Sequence, residues 1–261
     1  VITVHSFYAS PSWLPCSIEL DRVSQQYPIT LWRKLTSSEP RREYAIENVS
    51  LSLNSDFTLL VGNSSSGKST LLKLVAGQEP PVSGRILTSL VNNENTKLSP
   101  SNPVILEERP VYSNEQRSLN EILKGTILEL VSTDLAKELE GSPLLPELSD
   151  LLDLSLEQKG LNFSPSESYR CCIAVACLNS MLYNYEENSK RCHSLPAPIL
   201  LLDEWLDTET STVVQKVQSS LLELVAKGAI VISITHKPKL YKMEESIRRI
   251  TLSTGRILST N

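Results

Sequence analysis

The sequence has no run approaching the roughly 18 consecutive apolar residues that a membrane-spanning helix needs, so any work at a membrane would pass through a partner. It also lacks a basic excess. Lys and Arg number 25 against 30 Asp and Glu, a formal net charge of −5, whereas general nucleic-acid binding needs cationic side chains to neutralise phosphates; local basic spots such as Arg41-Arg42 leave that sign unchanged. No charged-then-apolar secretory leader opens the chain. Its first residue is valine, as expected of a processed precursor or a trimmed chain, in which any targeting peptide would be invisible. The five cysteines (Cys16, Cys171, Cys172, Cys177 and Cys192) contain no C-x-x-C pair. Their odd number fits a reducing compartment better than a disulfide framework. Cys171, Cys172 and Cys177 fall in an apolar helical segment where cysteine acts as a small hydrophobe, and Cys172 and Cys177 are not at a ligand spacing, so a metal cluster with Cys192 and His193 is disfavoured. There is no internal repeat or low-complexity tract. A length of 261 residues with 40% hydrophobic content suits one large domain or two small ones with a sizeable core.

Residues 62–70 read GNSSSGKST, an uninterrupted G-x-x-x-x-G-K-[ST] loop. Gly62 and Gly67 let the backbone turn tightly enough for the NH groups of Asn63, Ser64, Ser65 and Ser66 to point inward at a polyphosphate. Lys68 supplies a point charge, the hydroxyl of Ser69 suits a magnesium ion, and Thr70 lies in the first turn of a helix whose dipole favours anions. Such a loop should follow a strand and open a helix. Phe57–Val61 is a short apolar run, and Leu71–Gly77 has helical spacing that ends on glycine.

Two alternating segments, Ile18–Val23 and Ile46–Leu53, precede the loop and predict half-buried strands of an antiparallel sheet laid against a parallel core. Leucine-rich helical segments follow between 119 and 156, then a helix from about 166 to 182. A polar stretch with prolines at its end predicts an exposed insert over 183–198. Ile199–Leu202 is a buried strand that ends on Asp203-Glu204, a helix runs near 210–226, and the apolar strand Ala229–Thr235 leads to His236. A phosphate loop needs a partner strand ending in acids. Asp203 there can hold magnesium, and Glu204 can polarise an attacking water. His236 follows a second buried strand at the same edge, where loops at the carboxyl ends of parallel strands gather around ligands, and it can donate a hydrogen bond to a terminal phosphate.

This order of motifs resembles the ATP-binding cassette (ABC) ATPases over nearly the whole chain. The resemblance implies an α/β fold: a P-loop NTPase core with a parallel sheet, an antiparallel β subdomain on the N-terminal side, and an inserted α-helical subdomain at about 110–182, all within a single nucleotide-binding domain over 1–261. It implies ATP and Mg2+ as cofactors. Tyr27, in IELDRVSQQYP, resembles the aromatic that stacks on adenine, with Tyr44 as second candidate. Glu108, in VILEERP, stands where the family has a magnesium-sensing glutamine; a carboxylate can still ligate the metal but cannot donate a hydrogen bond. RRITLSTGRIL resembles the closing hairpin.

Two departures matter. Where the family carries the signature LSGGQ, this chain has Phe163-Ser-Pro-Ser-Glu. Ser164 is kept and both glycines are replaced, by Pro165 and Ser166, so the backbone there should present NH groups poorly. After Glu204 the family reads P-T-S-G-L-D, whereas this chain has Trp205-Leu-Asp-Thr-Glu-Thr, with Leu206-Asp207 as a candidate for the dimer-contact aspartate brought forward.

An intact phosphate loop beside a degenerate signature leads us to expect an asymmetric heterodimer, with a second, different ABC ATPase supplying an intact signature and a separate transmembrane subunit completing a transporter. The expected location is intracellular, peripheral on the cytoplasmic or organelle stromal or matrix face of a membrane, including the chloroplast. The resemblance extends to stand-alone plant and bacterial subunits, energy-coupling-factor importers among them. The alternatives are a soluble non-transport ABC ATPase in assembly or repair, and a non-catalytic ATP-binding regulator.

Overall fold

The computed structural model describes residues 14–27, 44–90, 103–106, 164–166, 169–170, 172–173, 176–177 and 196–260. In chain order these give β1 (Cys16–Gln26), β2 (Tyr44–Leu53), β3 (Phe57–Val61), α1 (Lys68–Val75), β4 (Ser83–Leu90), β5 (Pro103–Leu106), β6 (Ile199–Asp203), α2 (Ser211–Ala226), β7 (Ile230–Ile234), a 3-10 turn (Pro238–Leu240), β8 (Ile247–Ser253) and β9 (Arg256–Thr260). Residues 165, 166, 169, 170, 172, 173, 176 and 177 are also helical.

A six-stranded sheet runs in the order β5-β6-β7-β3-β8-β9. It is parallel from β5 through β8, and β9 closes it as an antiparallel hairpin partner of β8. β3 and β7 are buried along their whole length, and β6 is buried up to Asp203. That is the pattern of strands covered on both faces, and it explains why these segments read as unbroken apolar runs. Successive side chains divide between the two faces. Leu200 and Leu202 join Phe57, Leu59 and Val231 under Val214, Val217 and Leu221 of α2. Ile199 and Leu201 join Leu60, Ile232 and Ile234 on the other face, beneath Leu71 and Leu72 of α1 and the inner side of a second sheet.

That second sheet is antiparallel, in the order β2-β1-β4. β1 is irregular. Register shifts between Leu20 and Gln26 accompany positive φ values at Arg22 and Asn48, as bulges require. The freed amides find side-chain acceptors: Arg22 N donates to Ser50 Oγ at 3.0 Å and Asn48 N to Ser24 Oγ at 2.9 Å. Thr210 is the N-cap of α2, and its hydroxyl accepts from the Val213 amide at 3.5 Å. On the signature segment, Ser164 stands before the helical residues and Pro165 in their first turn, where proline's missing NH costs nothing and its fixed φ suits a helix.

The expected α/β architecture, with its parallel core and N-terminal antiparallel sheet, is therefore present. The expected insert over 183–198 needs correction at its end. Residues 183–195 lie outside the described residues, but Pro196, Ala197 and Pro198 are buried, because the Ala197 amide donates to Leu14 O at 2.8 Å and leads the chain straight into β6. Most of the helical subdomain expected at 110–182 lies outside the described residues as well.

Phe57 is fully buried and meets Tyr241 edge-on, with ring centroids 6.2 Å apart. Replacing Phe57 with alanine should cost about 3–5 kcal/mol of stability, read from the shift of the urea unfolding midpoint.

Candidate functional site

Three strands deliver the polar groups to one line. In the sheet register Leu60 lies beside Ile234, and Ile234 beside Asp203, so the loops after β3, β6 and β7 leave the sheet at the same level. The Thr235 amide donates to Leu60 O at 3.3 Å and the Glu204 amide to Ile234 O at 3.2 Å, tying each loop to its neighbour.

The loop after β3 is held from behind by backbone. Ser66 O accepts the Gly255 amide at 2.9 Å, and Gly255 O accepts the Glu47 amide at 2.9 Å. A Cβ on Gly62 would stand 2.2 Å from Leu252 O; one on Gly67 would stand 2.3 Å from Ala45 O, at a φ of +104°. Both glycines are thus required by close approach of backbone from elsewhere in the fold. α1 begins at Lys68 with no side-chain cap on its first turn, leaving amides open toward the cleft. Lys68 Nζ donates to Gly62 O at 2.9 Å and Asn63 O at 3.1 Å. Burial lowers its pKa below the 10.5 of an ordinary lysine, and the carboxylates of Glu204, Asp203 and Asp207 oppose that shift. Ser69 Oγ donates to Asp203 Oδ1 at 3.3 Å, and His236 Nε2 lies 2.7 Å from Glu204 Oε1. Tyr27, just past β1, donates its hydroxyl to Ser65 O at 3.1 Å.

These groups line an open cavity of about 210 Å³, bounded by Tyr27, Ser64 through Thr70, Glu204 and His236. Gly62, Asn63 and Asp203 border it through the contacts above. Of the two candidate tyrosines, Tyr27 lines the cavity, and Tyr44 begins β2 in register with Gln26. Glu108 lies outside the described residues. Neither Cys172 nor Cys177 is in a disulfide among the described residues; burial pushes the Cys177 thiol up to about 12, and it packs into the apolar core.

Sequence reasoning missed two features of this region. Asp207 does not point outward. Its carboxylate is buried, with Oδ1 accepting from the Thr235 hydroxyl and Oδ2 from the His236 amide at 2.7 Å. Trp205 is buried against Tyr169, edge-on at 4.6 Å, and the Tyr169 hydroxyl donates to Glu209 Oε1 at 3.0 Å, so the signature helix is fastened to the turn after Glu204. The replacement of P-T-S-G-L-D by Trp205-Leu-Asp-Thr-Glu-Thr was the only signal for either.

The sequence profile of the ABC transporter family matches residues 46–182, just over half of the chain. The chain belongs to that family. It is 28% identical over 228 residues to the ATP-dependent lipid A-core flippase of Nitrosococcus oceani, covering 84% of this chain and 34% of the flippase. It is 25% identical over 237 residues to the nickel import ATP-binding protein NikE of Escherichia coli, covering 86% of this chain and 80% of NikE. The chain thus spans about a third of the flippase's length. In fold it is similar to a dimeric ATP-binding cassette in a post-hydrolysis state bound to ADP and Pi, with a TM-score of 0.58 at 20% identity over 94% of this chain and 97% of that one. An ATP-bound bacterial Atm1-family ABC exporter gives a TM-score of 0.54 at 20% identity, over all of this chain and 41% of the exporter.

Cassettes of this family take ATP with Mg2+, and the residues here fit both. The uncapped start of α1 and its loop suit the phosphates. A serine hydroxyl and one carboxylate, 3.3 Å apart, suit an ion that keeps several waters and is otherwise held by phosphate oxygens.

Two outcomes follow. Gly62→Ala should abolish Mg-ATP binding in equilibrium dialysis, because the loop must move off Leu252. For the wild-type chain, affinity for Mg-ATP should fall with rising pH at a pH below 10.5, because Lys68 gives up its proton, and its charge, earlier than an exposed lysine does. That alkaline limb should be absent from Lys68→Ala, whose affinity should be weaker by about tenfold or more at pH values below the limb.

Proposed function

We propose that this chain hydrolyses ATP to power a membrane transporter, as one member of an asymmetric pair of ATPases docked on a transmembrane subunit. The supporting observation is the convergence of Lys68, Ser69, Asp203, Glu204 and His236 on one cleft, beside a signature segment in which Pro165 and Ser166 begin a helix.

In this reading the amides of Asn63 through Thr70 cradle the phosphates, with the glycines giving the backbone its close turns. Lys68 leaves the carbonyls of Gly62 and Asn63 and turns its ammonium to the terminal phosphates. Ser69 and Asp203 would hold Mg2+, with Glu108 proposed as a further ligand; the ion would supply charge neutralisation to the phosphates. Glu204 orients and deprotonates the attacking water. His236 hydrogen-bonds the terminal phosphate and fixes Glu204. The Glu204–His236 contact is exposed to the cleft, so it contributes little stability and its value is positional. Tyr27 exchanges its bond to Ser65 for stacking on the base.

The signature segment supports the asymmetry. A proline has no NH to offer a phosphate, and serine in place of glycine keeps the backbone from close approach. Two copies of this chain would pair good phosphate loops with poor signatures. A different ATPase with an intact signature would complete this chain's site, while the partner's own ATP would face Pro165 and Ser166 and turn over slowly. The domain is a single cassette over 1–261 with its helical subdomain at about 110–182. Among the described residues no helix is long and apolar enough to cross a membrane, which fits a peripheral cassette on the cytoplasmic or organelle-interior face. The lipid or metal cargo in the names of the relatives does not carry over, because the membrane subunits or binding proteins select the substrate.

The altered signature also favours a second reading, a non-catalytic ATP-binding regulator. Activity separates the two. The chain alone should hydrolyse ATP poorly, and adding the ATPase that copurifies with it from membranes should raise turnover by about tenfold or more; vigorous activity alone would sink the asymmetric pair. In the mixed preparation, Glu204→Gln should lower kcat by about a hundredfold while retaining ATP. A pure regulator would leave turnover unchanged.

A further inference from the structure

Asp207 sits in the same turn as Glu204, yet its carboxylate is committed to the loop after β7. It accepts from the Thr235 hydroxyl and, at 2.7 Å, from the His236 amide. The Thr235 hydroxyl accepts in turn from the Lys237 amide at 2.9 Å. The Asp207 and Thr235 side chains are buried. The two loops are also tied at their other end. The Asp207 amide donates to Glu204 O at 3.1 Å, and the Glu204 amide to Ile234 O at 3.2 Å. Between these two ties the side chains of Glu204 and His236 project into the cleft and meet at 2.7 Å.

That meeting is too solvated to hold two loops together. A buried carboxylate receiving two donors from consecutive residues can do so, since charge-assisted bonds are stronger and a donor stripped of its acceptor in the interior is costly. We infer that Asp207 is a positioning residue: it fixes the backbone at His236, and through it the Glu204–His236 pair, for work on the terminal phosphate. The inference rests on the assignment of Glu204 and His236 to hydrolysis. An aspartate facing outward to a partner could not make both bonds, so in this chain Asp207 acts within its own site.

Asparagine is the informative substitution. It keeps the shape and offers only one acceptor oxygen, so it must lose either the His236 amide or, by turning its NH2 to Thr235, the acceptor of the Thr235 hydroxyl proton. Asp207→Asn, His236→Ala and the double variant should be compared in the full chain with its copurifying ATPase. Asp207→Asn should lower kcat about tenfold, because small displacements of positioned groups are expensive, while KM and Mg-ATP affinity change less than about twofold. The double variant should match His236→Ala within about twofold, since both changes act through one residue. In the chain without nucleotide, the His236 amide proton should move upfield and exchange faster in Asp207→Asn.

If Asp207→Asn is not recovered folded, Thr235→Val keeps the carboxylate and removes one donor, and should lower kcat about threefold with KM unchanged. Wild-type kcat in Asp207→Asn, or losses that multiply in the double variant, would overturn the inference. His236→Ala with wild-type kcat would instead overturn the hydrolysis assignment on which it rests.

Discussion

The site depends on the register of three buried strands. Leu60, Ile234 and Asp203 lie in one row across β3, β7 and β6, and every described group proposed for the chemistry except Tyr27 leaves the sheet at or just beyond that row. Such a register is strongly specified. A slip of one residue would turn Leu200 and Leu202 away from α2 and toward α1, exchanging the two faces of a strand whose side chains are packed on both. It would also carry Asp203 about 3.3 Å along the strand direction, away from Ser69. Apolar packing beneath the cleft thus sets the spacing of the polar groups above it.

Much of this was legible in the sequence because it is local. Phe57–Val61 and Ile199–Leu202 are apolar on both faces, as strands between two layers must be. The spacing of Gly62, Gly67 and Lys68 specifies a tightly turned loop, although the approach of its backbone to Ala45 and Leu252 comes only with the fold. The rest depends on contacts distant in sequence. Nothing around Asp207 shows that its partners lie 28 residues or more away. The polar run before Ala197 reads as exposed, yet Leu14 pairs with its end. Tyr169 looks like any aromatic in an apolar helix until Trp205 meets its edge.

The two halves of the nucleotide machinery obey opposite demands. The phosphate loop keeps glycine where backbone crowds backbone. The signature segment gives glycine up and starts its helix on Pro165, with Ser164 ahead of it and the Ser164 and Ser166 hydroxyls 3.3 Å apart. What remains there favours helix initiation over presentation of amides to a second chain's phosphate. In our reading this makes the chain one side of an unequal pair. Asp207 fits the same picture, since its carboxylate is turned to its own loops.

The most direct test is calorimetric titration of ATP into the full chain, with and without Mg2+, for the wild type and for Asp203→Asn. The account predicts one nucleotide per chain, bound about tenfold or more tightly with Mg2+ than without, and loss of most of that difference in Asp203→Asn. Binding that is indifferent to Mg2+, or a magnesium dependence untouched by Asp203→Asn, would contradict it.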